Sequence, residues 1–267
     1  MRIVRWSVLA LAGVCAVSQV RAGLYADTVV GYNPGIGYQD GFGSPEAALG
    51  EPARLTVDPV YGTAAVDPFN PPYLSSQVVS IGAGGSLTLQ FSTPIVRDAA
   101  HPYGLDFLVF GNAGFGVQDY NDPDWKADGT LFGSANASTR VSVSRDGVTF
   151  YTLNPSLCPV LDNLYPTDGA GNFQKPVNPS LAAAGFVGKD LADIRALYAG
   201  SGGGAGFSLG WAQDGNGQSV NLSDVSYVKV DVLSQKLEID GVVAVPEPAT
   251  WTLCLGGLGL AWRRRRK

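Results

Sequence analysis

Histidine and cysteine are nearly missing from this 267-residue chain. His101 is the only histidine, which excludes His-rich zinc centres and leaves a Ser-His-Asp relay one residue that could act as its base. Of three cysteines, Cys15 and Cys254 lie in the terminal segments and Cys158 stands alone between them. No intramolecular disulfide framework can therefore brace the central region, and Cys158 reads as a buried, inert thiol. Glutamate is scarce: four residues against nineteen aspartates. Long apolar runs are absent too. The two apolar stretches, Trp6 to Val17 and Ala249 to Trp262, are both shorter than the roughly 20 residues that a comfortable membrane span needs. No internal repeat and no clear linker divides the chain.

The two ends carry addresses. Arg2 and Arg5 precede the first apolar stretch, and Val20-Arg21-Ala22 supplies small residues where a signal peptidase reads. This predicts a secretory signal over residues 1–22, cleaved after Ala22. At the far end, Pro246-Glu247-Pro248 forbids a regular helix through that point. The apolar segment Ala249 to Trp262 follows, and then Arg263, Arg264, Arg265, Arg266 and Lys267. A helix of fourteen residues is about 21 Å long, short of a hydrocarbon core of about 30 Å. Flanking tryptophans and snorkelling arginines could close the gap, with the basic cluster held on the cytoplasmic side.

Motif, apolar segment and basic cluster, in that order, resemble the PEP-CTERM sorting signal of exosortase substrates. The resemblance covers residues 246–267. It implies an exported precursor anchored in the inner membrane by its C-terminal tail. An exosortase-type protease would then cut near Pro246–Pro248, releasing the mature form to the cell surface or extracellular matrix. The partners so implied are the signal peptidase, the sorting protease and, through the tail, the membrane.

Between the ends, residues 23–245 form one predicted domain. It holds ten Lys and Arg against twenty-two Asp and Glu, a net charge near −12. Such a surface repels nucleic acid and anionic lipid, and suits divalent cations or neutral glycans. Short strand signals alternate with Gly- and Pro-rich turns. Leu87, Leu89 and Phe91 share one face of a strand, and Leu105 to Phe110 is apolar enough to be buried on both faces. Arg140 to Leu153 reads as a hairpin turning at Asp146-Gly147. Phe207, Leu209 and Trp211 alternate, as do Val228, Val230 and Val232, and Leu237 to Val245 closes the domain. Two short helices are expected, one opened by Ser44-Pro45-Glu46 and ended by Gly50, the other capped by Asp190 and stopped by Gly200. The fold class is mainly β: an antiparallel, jelly-roll-like β-sandwich with long loops and two short helices.

The segments Gly84 to Ile95, Asp106 to Phe115, Arg140 to Leu153, Gly204 to Leu222 and Tyr227 to Leu233 are similar, in this order, to a group of secreted bacterial surface proteins. Gly31 to Pro52 fits the same pattern. The likeness extends to the β-sandwich of discoidin-like and galactose-binding-like domains, whose end loops bind glycans or calcium. It implies a surface role and names no ligand.

Several constellations could carry chemistry. Asp119, Asp122, Asp124 and Asp128 lie close together in sequence with Asn121, and hard cations such as calcium take oxygen ligands of this kind. Lys126 interrupts the pattern and no Glu closes it, so this is not an EF-hand. Turn-capping aspartates would look the same. Asp214 and Asn216, around Gly215 and Gly217, are a second calcium candidate or a hairpin turn, and Asp162, Asn163, Asp168 and Asn172 a third. Tyr120 and Trp125 flank the first patch, while Tyr32, Tyr38 and Tyr61 sit in Gly/Pro-rich sequence. Aromatic faces of this kind stack on sugars or pack loops. Gly200 to Gly206 lacks a P-loop Lys-Ser/Thr and reads as a flexible turn. The functional expectation is a non-catalytic surface or matrix protein that binds extracellular polysaccharide. A two-carboxylate hydrolase and a purely structural envelope component are the alternatives.

Overall fold

The computed structural model describes residues 24–58, 62–133 and 136–247. The signal segment, Tyr61, Pro248 and the apolar and basic parts of the tail lie outside the described residues. Among the described residues, no helix is long and apolar enough to cross a membrane.

The molecule is mainly β and antiparallel. Its largest sheet has six strands in the order Thr28–Asn33, Ser86–Val96, Asp224–Ser234, Ser138–Ser144, Tyr151–Leu153 and Ala212–Gln213. The two eleven-residue strands occupy its middle, with Val228 opposite Leu89 and Val230 opposite Leu87. Period-two alternation sends Leu87, Leu89, Phe91, Val228, Val230 and Val232 into one core, as the sequence predicts. The Asp146-Gly147 hairpin forms too: Tyr151 pairs with Val143, and Gly147 has φ +73°.

A second layer covers this face. Phe107–Phe110 runs between Ala205–Phe207 and Gly241–Ala244, both antiparallel to it. Phe107 and Val109 face the large sheet, and Phe107 stacks on Phe207 with ring centroids 5.2 Å apart. Leu108 and Phe110 point the other way and pack with Phe173, Val243 and Val245. The strand is thus buried on both faces, which is why it reads as an unbroken apolar run. The outer edge is closed by the first described residues. Ala26 donates its N–H to the Val242 carbonyl at 3.1 Å, and the Ala244 N–H reaches the Leu24 carbonyl at 2.7 Å. Among the described residues, the buried apolar side chains run from Ala26 to Val245, so both ends of the described chain contribute to the core.

Local departures have local causes. The alternation of Phe207, Leu209 and Trp211 does not make one strand. Asp106, fully buried, accepts the Leu209 N–H at 2.7 Å, and Ser208 Oγ accepts from Gly210 N, winding Leu209–Trp211 into a 3-10 turn. The Ser44 helix is a single 3-10 turn, Pro45–Ala48, and Ser44 makes no side-chain cap. The other helix, Leu191–Tyr198, is capped as expected, Asp190 accepting from Asp193 N. Ala199 takes the left-handed position at its end (φ +52°), one residue before Gly200. The glycine run 200–206 is not a flexible turn. Gly202 N and Gly204 N donate to the carbonyls of Asn172 and Tyr165, and Ser201 to Ala205 are buried. A Cβ on Gly203 would lie 2.4 Å from the Pro166 carbonyl, so glycine here permits close packing.

Candidate functional site

The acidic segment is a chain of turns. Asp119 accepts the Asn121 N–H at 2.8 Å, and Asp122 accepts that of Asp124 at 3.0 Å. Asp128 accepts both the N–H and the hydroxyl of Thr130 at 2.7 Å. Asp122 also pairs with Lys126 at 3.2 Å. The backbone N–H of Asp124 holds the Asp122 carboxyl below its ordinary range, and that of Thr130 does the same for Asp128. At the second candidate, Asp214 accepts from Asn216 N and Gln218 N, both at 2.9 Å, closing a tight turn. The third candidate is dispersed. Asp162 accepts from Ala113 N, Asp168 from Arg195, and Asn172 from Gln174 N. Among the described residues, no group of three or more His, Cys, Asp and Glu side chains converges as a metal centre.

A groove does form beside this segment. Trp125 stands edge-on to the buried Phe69, with centroids 6.3 Å apart at 80°. Tyr120, 69% exposed, also meets Trp125, at 5.9 Å and 77°. Trp125 itself keeps 40% of its surface exposed. With Phe69, Asp67, Asp124, Asp190 and Arg195 it borders a cavity of about 480 Å³. The helix Leu191–Tyr198 brings Arg195 here because Ile194 and Tyr198, one turn apart, anchor it on Phe115, Phe186 and Ala127.

Arg195 is held rigidly. Its guanidinium grips Asp168 through two hydrogen bonds of 2.8 and 2.9 Å, and the Asp168 side chain is 2% exposed. That pairing raises the affinity of Arg195 for its proton. Asp67 caps the next turn through Phe69 N and Asn70 N, and burial pushes its carboxyl above the ordinary range. One wall is therefore aromatic, while a fixed cation and several carboxylates supply donors and acceptors.

Of the sequence candidates, Trp125 and Asp124 line this groove and Tyr120 braces it. Asp119, Asp122, Asp128, Asp214 and Asn216 do not border it. Tyr32 is committed elsewhere, its hydroxyl donating to the Ser80 carbonyl at 2.7 Å. Sequence reasoning missed Asp67, Phe69 and Arg195, and saw Asp190 only as a helix cap. These residues are far apart along the chain, and no spacing rule joins them.

Among the described residues, the lone histidine joins no Ser-His-Asp relay. His101 Nδ1 lies 2.8 Å from Asp106 Oδ1, and both side chains are buried. The Ser208 hydroxyl, 3.3 Å away, donates to Asp106 and not to the imidazole. His101 Nε2 is buried without a hydrogen-bond partner in the described structure. The cluster ties residues 98–106 to the Ser208–Leu209 turn.

The last strand leads straight into the C-terminal address. Ala244 ends the strand, Val245 is buried with its N–H on the Asp106 carbonyl at 2.9 Å, and Glu247 is exposed. The sequence profile of the PEP-CTERM protein-sorting motif matches residues 244–266, so the match begins on the final residue of the fold's final strand. No curated protein matches the chain. The motif implies an exported, surface-associated protein, made with a membrane-anchored precursor and processed by an exosortase.

Proposed function

We propose that the processed domain is a non-catalytic binding module of the cell surface or extracellular matrix, and that its Trp125 groove holds a neutral glycan. The observation that carries this reading is the joining, in one groove, of the half-exposed Trp125 ring with Asp67, Asp124, Asp190 and the fixed Arg195. An indole face packs against the C–H face of a sugar ring. Carboxylates accept from its hydroxyls, and a guanidinium pinned by Asp168 donates without losing further side-chain freedom. The acidic surface disfavours anionic polysaccharides and leaves neutral ones as the fitting class. The groove's own side chains supply the donors and acceptors of this reading, and calcium is not part of it.

The test is titration of residues 24–247 with neutral matrix polysaccharides and their oligosaccharides, alongside W125A. Parent binding that weakens about tenfold or more in W125A, a loss of about 1.4 kcal/mol, supports the groove. Unchanged affinity in W125A, or no binding to any neutral glycan, refutes it. Release of new reducing ends during incubation overturns the non-catalytic part.

A further inference from the structure

A second cavity, of about 400 Å³, shares no residue with the Trp125 groove. It exists because its floor has almost no side chains. Gly111, Ala113, Gly204, Ala205 and Gly206 line it, and at the glycines a side chain would collide with packed neighbours. A Cβ on Gly206 would come within 2.6 Å of Leu105, and one on Gly111 within 2.3 Å of Asp162 Oδ1. The segment 157–167 forms the opposite wall, and Tyr165 and Trp211 add rings.

Three further features distinguish it from a packing defect. First, its mouth is apolar and open to water: Tyr103, Leu157 and Val160 are 56%, 52% and 52% exposed. Clustered exposed apolar side chains of this kind mark binding sites more often than inert surface. Second, Tyr103 (φ +59°) and Asp162 (φ +49°) both hold left-handed backbone, which costs a non-glycine residue about 1 kcal/mol or more. Such strain persists where surrounding structure imposes it, and here it falls twice on one cavity. Third, Asp162 locks the wall to the floor, its Oδ1 accepting from Ala113 N at 2.6 Å.

The lining also selects the ligand. It contains no Lys, Arg or His, so neither a carboxylate nor a phosphate would find a counter-charge. Its one acid, Asp162, is already bonded to backbone N–H groups, and burial raises its carboxyl to about 7, so it offers little to a cation. A dry cavity of about 150 Å³ is enough for benzene, so this volume accommodates at least two rings.

We propose that this cavity is a binding site for a neutral, largely apolar small molecule of about two aromatic rings, admitted over Tyr103, Leu157 and Val160. The probe is N-phenyl-1-naphthylamine, which is neutral and fluoresces on leaving water. Residues 24–247 contain only two tryptophans, Trp125 and Trp211, so W125F leaves Trp211 as the sole donor when excitation is at the red edge where tyrosine does not absorb. The expected result is saturable binding of one probe per chain with quenching of Trp211. Affinity should fall about tenfold or more in L157D and V160D, where a charge at the mouth must be desolvated. Both positions are exposed, so the variants should keep the parent circular-dichroism spectrum. Absence of saturable binding overturns the proposal. So does equal affinity in L157D and V160D, or binding that leaves Trp211 unquenched.

Discussion

Asp240 connects the last two strands and is 3% exposed. Its two oxygens lie 2.9 and 3.2 Å from a single donor, Ala53 N. Burial outweighs that hydrogen bond and lifts its carboxyl from an ordinary 3.8 to about 8. Asp162 moves the same way, to about 7. In both cases the native state holds a proton that the unfolded chain has released by pH 5.5. Where the native state binds more protons, stability falls as pH rises. From pH 5.5 to 8.0 the loss should be about 3 kcal/mol from Asp240 and about 2 kcal/mol from Asp162, at about 1.4 kcal/mol per pH unit until each folded-state pKa is reached. The carboxyls held below the ordinary range, such as Asp27 and Asp128, finish titrating at lower pH and add nothing in this window. D240N keeps an acceptor for Ala53 N and cannot ionise. Its amide adds a buried donor, so it should be about 1–3 kcal/mol less stable than the parent at pH 5.5. Urea unfolding followed by tryptophan fluorescence at both pH values gives the comparison, and the difference between the two proteins isolates Asp240. D240N should lose about 3 kcal/mol less than the parent over this range and be at least as stable at pH 8.0. Equal losses in the two proteins would refute the reasoning.

Two further expectations follow from the packing. G111A should destabilise residues 24–247 by about 1–3 kcal/mol, because the new methyl group would meet the Asp162 carboxylate at 2.3 Å, and it should weaken probe binding in the apolar cavity; thermal unfolding and the fluorescence titration check both. Calcium saturating a site 100-fold would add about 2.7 kcal/mol, a rise of about 5–10 °C in Tm for a domain of this size. With those carboxylates spread over separate turns, millimolar calcium should give no rise of that size in differential scanning calorimetry, and a rise of several degrees would point to Asp119, Asp122, Asp124 and Asp128 or to Asp214 and Asn216 as ligands.

The sheets were readable because their signal is local. Leu87, Leu89 and Phe91 declare a face by period two, and Phe107 to Phe110 declares burial on both sides by having no polar residue. The groove was not readable. Trp125 announces itself as an aromatic beside acids, but Phe69 and Arg195 arrive only when the Asp67–Asn70 turn and the Leu191–Tyr198 helix pack on one cluster. The acidic patch has two readings for a physical reason: aspartates that cap successive turns and aspartates that gather round a cation look alike in one dimension. The glycine run 200–206 misleads, since absence of a side chain permits both free rotation and close packing. Here the neighbouring backbones at Asn172, Tyr165 and Pro166 impose the second.

The final strand and the sorting motif also share residues. Val242, Val243, Ala244 and Val245 are core residues, lodged between the Phe107–Phe110 strand and the Leu24–Ala26 edge. The sorting motif follows with no spacer, its match beginning at Ala244 inside the strand. The edge of the core and the start of the address are therefore one stretch of chain, so a substitution at Ala244 or Val245 changes packing and address together.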